Sequence, residues 1–235
     1  MFEYLKRWFP AWDEISKPKS AAGQAIEMLR REYRGKPLKK SEVSKDPIKQ
    51  FSVWFNEAVD AIKTDPNAML LSTVSKEGKP SCRTVLLKGY DENGFIFYTN
   101  YASRKAGHIE ENSEVSLTFY WPGLMRQIHI EGKAEKIPVE KSDSYFNTRP
   151  SSSRLSAWAS HQSEKVENRE QLEKQLKEIE KRFAGKEIPR PPHWGGYCVK
   201  PERIEFWQGR LNRLHDRISY TQNESGEWLI ERLSP

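Results

Sequence analysis

The sequence predicts an α+β fold, mainly antiparallel β, with a barrel or sandwich at its centre and helices around it. Three observations carry this. Five short runs rich in apolar, β-branched and aromatic residues follow one another within about 70 residues, separated by turn signals such as KEGK and DENG. Segments of helical period stand before and after them. Strand-like runs return near the C-terminus, where they complete the same sheet, so residues 21–235 read as one domain behind a flexible tail of residues 1–20.

Taken in order, SAAGQAIEMLRREYR (20–34) has a Ser near its start and basic residues in its last turn, as a helix would. KPLKKSEVSK reads as a solvated linker. DPIKQFSVWFNEAVDAIK (46–63) opens with Asp then Pro, an N-cap followed by Pro at the first helical position, and Ile48, Phe51, Phe55, Ala58 and Ile62 recur at helical spacing. AMLLSTVS, SCRTVLLKGY, FIFYTN, EVSLTFYW and RQIHIEGKAEKI are the five strands, with a helix-like insert, SRKAGHIEEN (103–112), after the third. Helical segments follow in PVEKSDSYFNTR, SSRLSAWAS and NREQLEKQLKEIEKRFAG, the last with an apolar stripe of Leu172, Leu176, Ile179 and Phe183. EIPRPPHWGG ends the helices, and YCVKPERIEFWQG, LHDRISYTQ and EWLIERL are the closing strands.

Composition narrows the function classes. The 235 residues carry 39 Lys and Arg against 33 Asp and Glu, a formal charge of +6 that admits anionic partners without demanding nucleic acid. Charged residues make up 31% of the chain while 8 Trp, 9 Tyr and 10 Phe supply core material, the balance of a globular protein with a polar surface. No apolar run approaches the ~20 residues of a membrane span. The opening MFEYLKRWFPAWDEISKPKS lacks the apolar centre of a secretory signal, and its Glu3, Asp13 and Glu14 do not suit a transit peptide, so a cytoplasmic protein is expected. Cys82 and Cys198 sit in no metal-ligand spacing and read as free thiols. The histidines at 108, 129, 161, 193 and 215 form no ligand pair at helical spacing, and the phosphate-loop, dinucleotide, zinc-protease and serine-hydrolase motifs are missing, so neither a metal site nor a hydrolytic triad is expected.

The basic residues carry the functional signal. In FWQGRLNRLHDR (206–217), Arg213, His215 and Arg217 fall on one side of the chain if the stretch is a strand, and three such groups on one face call for an anion. Arg83 and Lys88 bracket RTVLLK, Arg104 and Lys105 open the inserted helix, and Arg149 precedes Ser151, Ser152 and Ser153. Each group can grip a phosphate: Arg offers a planar fork, Lys a point charge, hydroxyls fill the remaining lone pairs, and a helix start adds backbone N–H groups. Any one group alone reads as a solvated cluster; their number points to a phosphorylated ligand. Trp207 and Gln208 before Gly209 fit either a core or a flat ring lying close to the backbone. Gln127 and His129 alternate with Ile128 and Ile130 and so face away from the apolar side, where an amide can read the edge of a heterocycle. A flat, phosphorylated heterocycle satisfies all of these features at once.

In this order, RTVLLKGYDENGFIFYTNYASRKAGHIEEN, FYWPGLMRQIHIEGKAEK, SYFNTRPSSSRLSAWASHQS and PHWGGYCVKPERIEFWQGRLNRLHDR closely resemble the pyridoxine (pyridoxamine) 5'-phosphate oxidase family. The resemblance runs from about residue 24 to the C-terminus, and the combination of RPSSSR, SHQS and FWQG with RLHDR is far more specific than any one of them. It implies a split β-barrel with flanking helices that binds FMN, and a homodimer with FMN at the interface. The implied activity oxidises pyridoxine 5'-phosphate or pyridoxamine 5'-phosphate to pyridoxal 5'-phosphate, passing a hydride to FMN, with O₂ reoxidising the flavin to give hydrogen peroxide. No nucleic-acid or membrane partner is implied.

Carried over residue by residue, the resemblance places Arg83, Thr84, Val85, Leu86, Leu87 and Lys88 along FMN. Tyr98, Thr99, Arg104, Lys105, Gln127, Gln162, Ser163, Trp207 and Arg217 match the remaining FMN contacts, some of them from the partner subunit. Tyr145, Arg149 and Ser153 match the grip on the substrate phosphate, with Lys88 shared between flavin and substrate. Arg213 and His215 match the catalytic pair beside the pyridine ring, with Leu214 between them, and Arg30, Arg31, Glu32 and Tyr33 match a segment that closes over the substrate. One point stays open: Arg83 and Lys88 are an odd number of residues apart, so an unbroken strand would aim them at opposite faces. Either the strand bulges or twists, or the two act from its ends on different ligands. The departures from the family pattern are small: Arg210 and Leu211 fill the gap before NRLHDR, and SAWAS stands where relatives have GA and a bulky residue. Two rivals remain, a split-barrel flavoprotein acting as a flavin reductase or on another heterocycle, and a pyridoxal-phosphate or nucleic-acid binding protein without turnover.

Overall fold

The first helix, α1 (Pro47–Ala61), forms for reasons local to its start. Asp46 caps it by accepting from the N–H groups of Ile48 at 2.8 Å and Lys49 at 3.3 Å, and Pro47 sits where a missing N–H costs nothing. Phe51, Trp54 and Ala58 bury its inner face, with Ile48, Phe55 and Ile62 packed beside them, so the expected stripe is present with Trp54 added to it. The computed structural model describes residues 31–235. The expected tail, Arg30 and most of the helix expected over 20–34 lie outside the described residues. The last four of that stretch, 31–34, are described and are not helical.

Nine strands follow and join one antiparallel sheet: β1 (Ala68–Val74), β2 (Pro80–Leu86), β3 (Gly89–Asp91), β4 (Gly94–Asn100), β5 (Glu114–Trp121), β6 (Arg126–Lys136), β7 (Trp194–Gln208), β8 (Asp216–Gln222) and β9 (Trp228–Leu233). The order is β2-β1-β5-β6-β7-β4-β3, with β8 also on β7 and β9 beyond β8. The 15-residue β7 is the spine. Its first half pairs with β4, its second half with β8, and β6 runs along its other side with a register shift at Glu131/Gly132. The sheet curls into a split barrel around a core in which Leu71, Phe95, Phe97, Phe119, Ile128, Ile130, Ile204 and Phe206 have no exposure. Phe51 of α1 closes it, with ring centroids 4.8 Å from Phe95, 4.9 Å from Tyr90 and 5.3 Å from Phe119. At ~1.5–3 kcal/mol for each large apolar side chain fully buried, this barrel supplies most of the driving force for folding.

The flanking helices are α2 (Arg104–Glu111), α3 (Val139–Asn147), α4 (Ser151–Ala159) and α5 (Arg169–Arg182). A smaller core of Phe146, Ala157, Ile188 and Trp194 ties α3 and α4 to the start of β7.

Four expectations change. The strand expected over 81–90 breaks after Leu86 and resumes at Gly89, so Lys88 lies in a gap where its N–H bonds Ile96 O at 2.8 Å. That break removes the parity problem, because Arg83 and Lys88 do not share an unbroken strand. The strand expected from residue 214 starts at Asp216; a 3₁₀ turn over Leu211–Arg213 precedes it, with Asn212 and Arg213 at φ 55° and 61°. Arg213, His215 and Arg217 therefore do not form one strand face. The α5 stripe is only half-buried: Leu176, Ile179 and Phe183 are partly covered, Leu172 is 40% exposed, and no residue of the helix is fully buried. The linker is partly docked, since Leu38 is buried, its N–H bonds Asp216 Oδ2 at 3.0 Å and its carbonyl accepts from Arg232 at 2.6 Å.

Candidate active site

The sheet brings together most of the residues singled out in the sequence, but in two places rather than one. The first is a cavity of about 900 Å³ between β2, β4 and the helices. Arg83, Thr84, Val85, Leu86, Lys88, Tyr98, Thr99, Arg104, Lys105, Tyr145, Arg149, Ser153, Gln162 and Ser163 all line it. Leu87 does not; it is 4% exposed and turns into the core, with its N–H on Asn67 O.

Two basic clusters face this space. Lys105 Nζ is held by Thr99 Oγ1 at 3.0 Å, Gln162 Oε1 at 3.0 Å and Ser103 Oγ at 3.3 Å, while Arg104 N–H bonds Ser163 Oγ at 3.2 Å. Arg83 is anchored on Leu71 O, Thr73 Oγ1 and Ser81 Oγ at 2.7–2.9 Å. Burial, then the charge of Arg83, pushes the Lys105 ammonium down to about 8. Ser103 gives the start of α2 no side-chain cap, and with Arg104 N–H taken by Ser163 the next N–H groups of the first turn are left to an incoming acceptor. The second cluster is aromatic and basic. Tyr98 stacks against Tyr145 (4.0 Å) and Trp194 (5.3 Å), which also lie near-parallel to each other at 6.2 Å, and the Arg149 guanidinium lies 4.6 Å over the Trp194 ring. Arg149 Nη1 is buried without a hydrogen-bond partner, a group that costs ~1–3 kcal/mol when left unmet. Among the described residues, five cations and no carboxylate line the cavity.

The second place is the far end of β7. Register puts Gln127, Trp207 and Arg217 in one row across β6, β7 and β8, on the face opposite Ile128, Phe206 and Ile218. His215 packs against Trp207 at 4.7 Å, and Tyr33 meets both rings edge-on at 5.6 and 5.5 Å. Close approach holds Tyr33 there: Gly35 N–H bonds Gly209 O at 3.1 Å, and a Cβ on Gly209 would stand 2.6 Å from Tyr33 Cδ1. Arg210 reaches back to Gly35 O and to Asp216. Arg217 is bound at 2.7 and 2.9 Å to Glu205, which also takes Arg203 at 2.9 Å. Burial alone would raise the Glu205 carboxyl, but Arg217 and Arg203 outweigh it and hold the group below its usual range. Arg213 and Leu214 are exposed, Leu214 at 68%, and Arg31 and Glu32 are exposed on the strap formed by residues 31–38.

Sequence reading passed over Trp194, Glu205, Arg210 and Asp216. Glu205 was within reach, since counting two back from Trp207 places it on the same face, beside Arg203. Trp194 carried no such signal, because only the packing of α3 against β7 puts it under Arg149.

Residues 55–183 match the family model described as pyridoxamine 5'-phosphate oxidase, and residues 194–235 match the pyridoxine 5'-phosphate oxidase C-terminal dimerisation region. A pyridoxine/pyridoxamine 5'-phosphate oxidase of Rubrobacter xylanophilus is 56% identical over 207 residues, 88% of this chain and 95% of that protein. One from Gloeothece citriformis is 50% identical over 212 residues, 90% of this chain and 99% of that protein. Among solved structures, PhzG from Burkholderia lata, in complex with tetrahydrophenazine-1-carboxylic acid, superposes with a TM-score of 0.80 at 30% identity, over 86% of this chain and 99% of that one. A pyridoxamine 5'-phosphate oxidase-related, FMN-binding protein of Nostoc punctiforme shares the fold, with a TM-score of 0.65 at 18% identity over 82% of this chain and 100% of that one.

Proposed function

Because the chain belongs to the pyridoxine/pyridoxamine 5'-phosphate oxidase family, and is an oxidoreductase of that family, we propose that it converts pyridoxine 5'-phosphate and pyridoxamine 5'-phosphate to pyridoxal 5'-phosphate using FMN. Oxygen is the final acceptor, hydrogen peroxide the by-product, and vitamin B6 salvage the cellular role, in the cytoplasm. The observation that carries the reading is the cavity lined by five cations and no carboxylate among the described residues. Repulsion among Arg83, Arg104 and Lys105 and the unmet Arg149 Nη1 both call for phosphate oxygens, and the two clusters suit two phosphates, one on the cofactor and one on the substrate.

On this reading Arg83, Arg104 and Lys105, with Thr99, Gln162 and Ser163, hold the phosphate of FMN, and residues 83–88 lie along its ring. FMN, when bound, supplies the electron acceptor. Tyr145, Arg149 and Ser153 hold the substrate phosphate, and Lys88 stands between the two ligands. Gln127, Trp207, Arg213, His215 and Arg217 lie at the other end of β7, so in a homodimer they serve the cavity of the partner copy. The matched C-terminal dimerisation region and the exposed Leu214 support that arrangement. Residues 21–235 then act as one unit, and residues 30–33 cover the substrate.

Another heterocycle as substrate is the second reading, favoured by the similarity to PhzG, whose complex holds a phenazine carboxylate. The second basic cluster argues for a phosphorylated ring instead. The test is an anaerobic mix of the purified protein with pyridoxine 5'-phosphate. The expected result is bleaching of the yellow flavin and its return in air with formation of pyridoxal 5'-phosphate. Flavin that stays oxidised would sink the substrate assignment, and a protein that takes up no FMN would sink the cofactor with it.

A further inference from the structure

His215 sits at the end of a tight turn, and the turn dictates which of its nitrogens is free. The backbone N–H of Arg210 donates to His215 Nδ1 at 3.0 Å. A backbone N–H can only donate, so Nδ1 holds a lone pair and the ring proton is on Nε2. Both lone-pair positions of the imidazole are thereby spent, one on Arg210 and one on the proton.

The surroundings hold the ring in this state. Tyr33 from the strap and Trp207 from β7 fix its plane, and neither is a carboxylate. The neighbouring Asp216 has no oxygen to spare for an imidazolium: Oδ2 accepts from Leu38 N–H at 3.0 Å and lies 3.3 Å from Arg210 Nε, and Oδ1 takes Arg232 at 2.6 Å. Arg213, two residues away on the same turn, adds like charge. Protonation would put two N–H groups nose to nose at Arg210 and a second cation beside Arg213. Burial and then Arg213 accordingly hold the group below its ordinary range.

We propose that His215 meets the substrate as a fixed Nε2–H hydrogen-bond donor, directed at an electron-rich oxygen on the substrate ring, and not as a base that takes a proton from it. The inference rests on the reading of this end of β7 as substrate-facing; the tautomer itself does not. Arg210, through its backbone, and Asp216, through the strap and the Arg210 side chain, are then positioning residues for this donor.

Two measurements test it on the full-length, FMN-loaded protein. With ¹⁵N-labelled histidine, and the His215→Gln variant to assign the signal, His215 should show a protonated Nε2 and a bare Nδ1 throughout pH 6 to 8. A proton on Nδ1, or an imidazolium at pH 7, would overturn the proposal even if the enzyme oxidises no vitamin B6 phosphate. Turnover of pyridoxine 5'-phosphate separates the two roles. His215→Gln keeps an N–H donor and should exceed His215→Glu, which can only accept or act as a base, by ~10-fold, the weight of one hydrogen bond to an ionised partner. Equal or greater activity in His215→Glu would mean that a proton acceptor is what the site needs. Failure of the wild-type protein to turn over would fall on the substrate reading and leave the tautomer to the spectra.

Discussion

The cavity beside β2 and β4 and the turn at the far end of β7 treat their cations in opposite ways. In the cavity Arg83, Lys88, Arg104, Lys105 and Arg149 face a common space with no carboxylate among the described residues. At the far end Arg217 and Arg203 share Glu205, Arg210 and Arg232 share Asp216, and Arg213 alone stands out from the turn. The first region is incomplete electrostatically and complete as a container; the second is the reverse. A charge excess of that kind is built for an anion, whereas a neutralised scaffold is built to hold a few groups still. On the proposed function, the two regions suit a binding pocket and a rigid piece that serves the pocket of a partner copy.

The largest expected effect breaks the pocket. Replacing Arg83 and Lys105 together by Ala removes two charge-assisted contacts, each worth ~1.5–3 kcal/mol, so FMN affinity should fall by ~10²–10⁴-fold in a fluorescence titration. A change of only a few-fold would mean that the FMN phosphate sits elsewhere. Next comes the far end: Arg213→Ala should leave FMN affinity intact and slow substrate oxidation by ~10²-fold in stopped-flow reduction, because it loses a charged contact made at the reacting ring. Loss of FMN from that variant would erase the distinction between the two regions.

Mixing the two kinds of lesion sharpens it. Arg149→Ala and Arg213→Ala chains, refolded together in equal amounts, should recover about a quarter of wild-type activity, since half the dimers are mixed and each mixed dimer keeps one intact site. No recovery would place both residues in the site of a single chain. The smallest effect is a matter of pH. Lys105, held to about 8, is charged at neutrality and loses its proton above that value, so the affinity of the anion-free protein for inorganic phosphate should decline as pH passes 8. The unfolded chain keeps that proton up to the ordinary lysine range, so over the same window this group favours the anion-free folded state increasingly. Arg83→Ala should move the decline to higher pH, and an unmoved midpoint would show that Arg83 does not press on Lys105.

Much of the fold was legible because it is written locally. Asp46 and Pro47 mark the start of α1, and the alternation at Gln127, Ile128, His129 and Ile130 assigns the two faces of β6 without reference to anything distant. The misreadings have a common cause. FWQGRLNRLHDR has strand-like alternation throughout, yet Asn212 and Arg213 adopt left-handed backbone angles in a turn flanked by the contacts of Gly35 on Gly209 and of Leu38 on Asp216, which no local period announces. The α5 stripe has the right period but is covered only in part among the described residues, with Phe183 against Trp158 and Leu172 left 40% exposed, since the period of an amphipathic face does not say what covers it.

By itself, the sequence determined the chemical inventory: a positive charge gathered at strand ends and helix starts, hydroxyls and amides beside it, and aromatic rings enough for a barrel. Those choices are local, set by side-chain type and by periods of two or 3.6 residues. Tertiary structure alone decided where the inventory goes. It broke the strand between Arg83 and Lys88, turned Leu87 into the core, slid Trp194 beneath Arg149, and sent Arg213 and His215 to the opposite end of β7 from the cavity. The reason is that β7 pairs β4 along one half and β8 along the other, a consequence of long-range register that no short window of sequence contains.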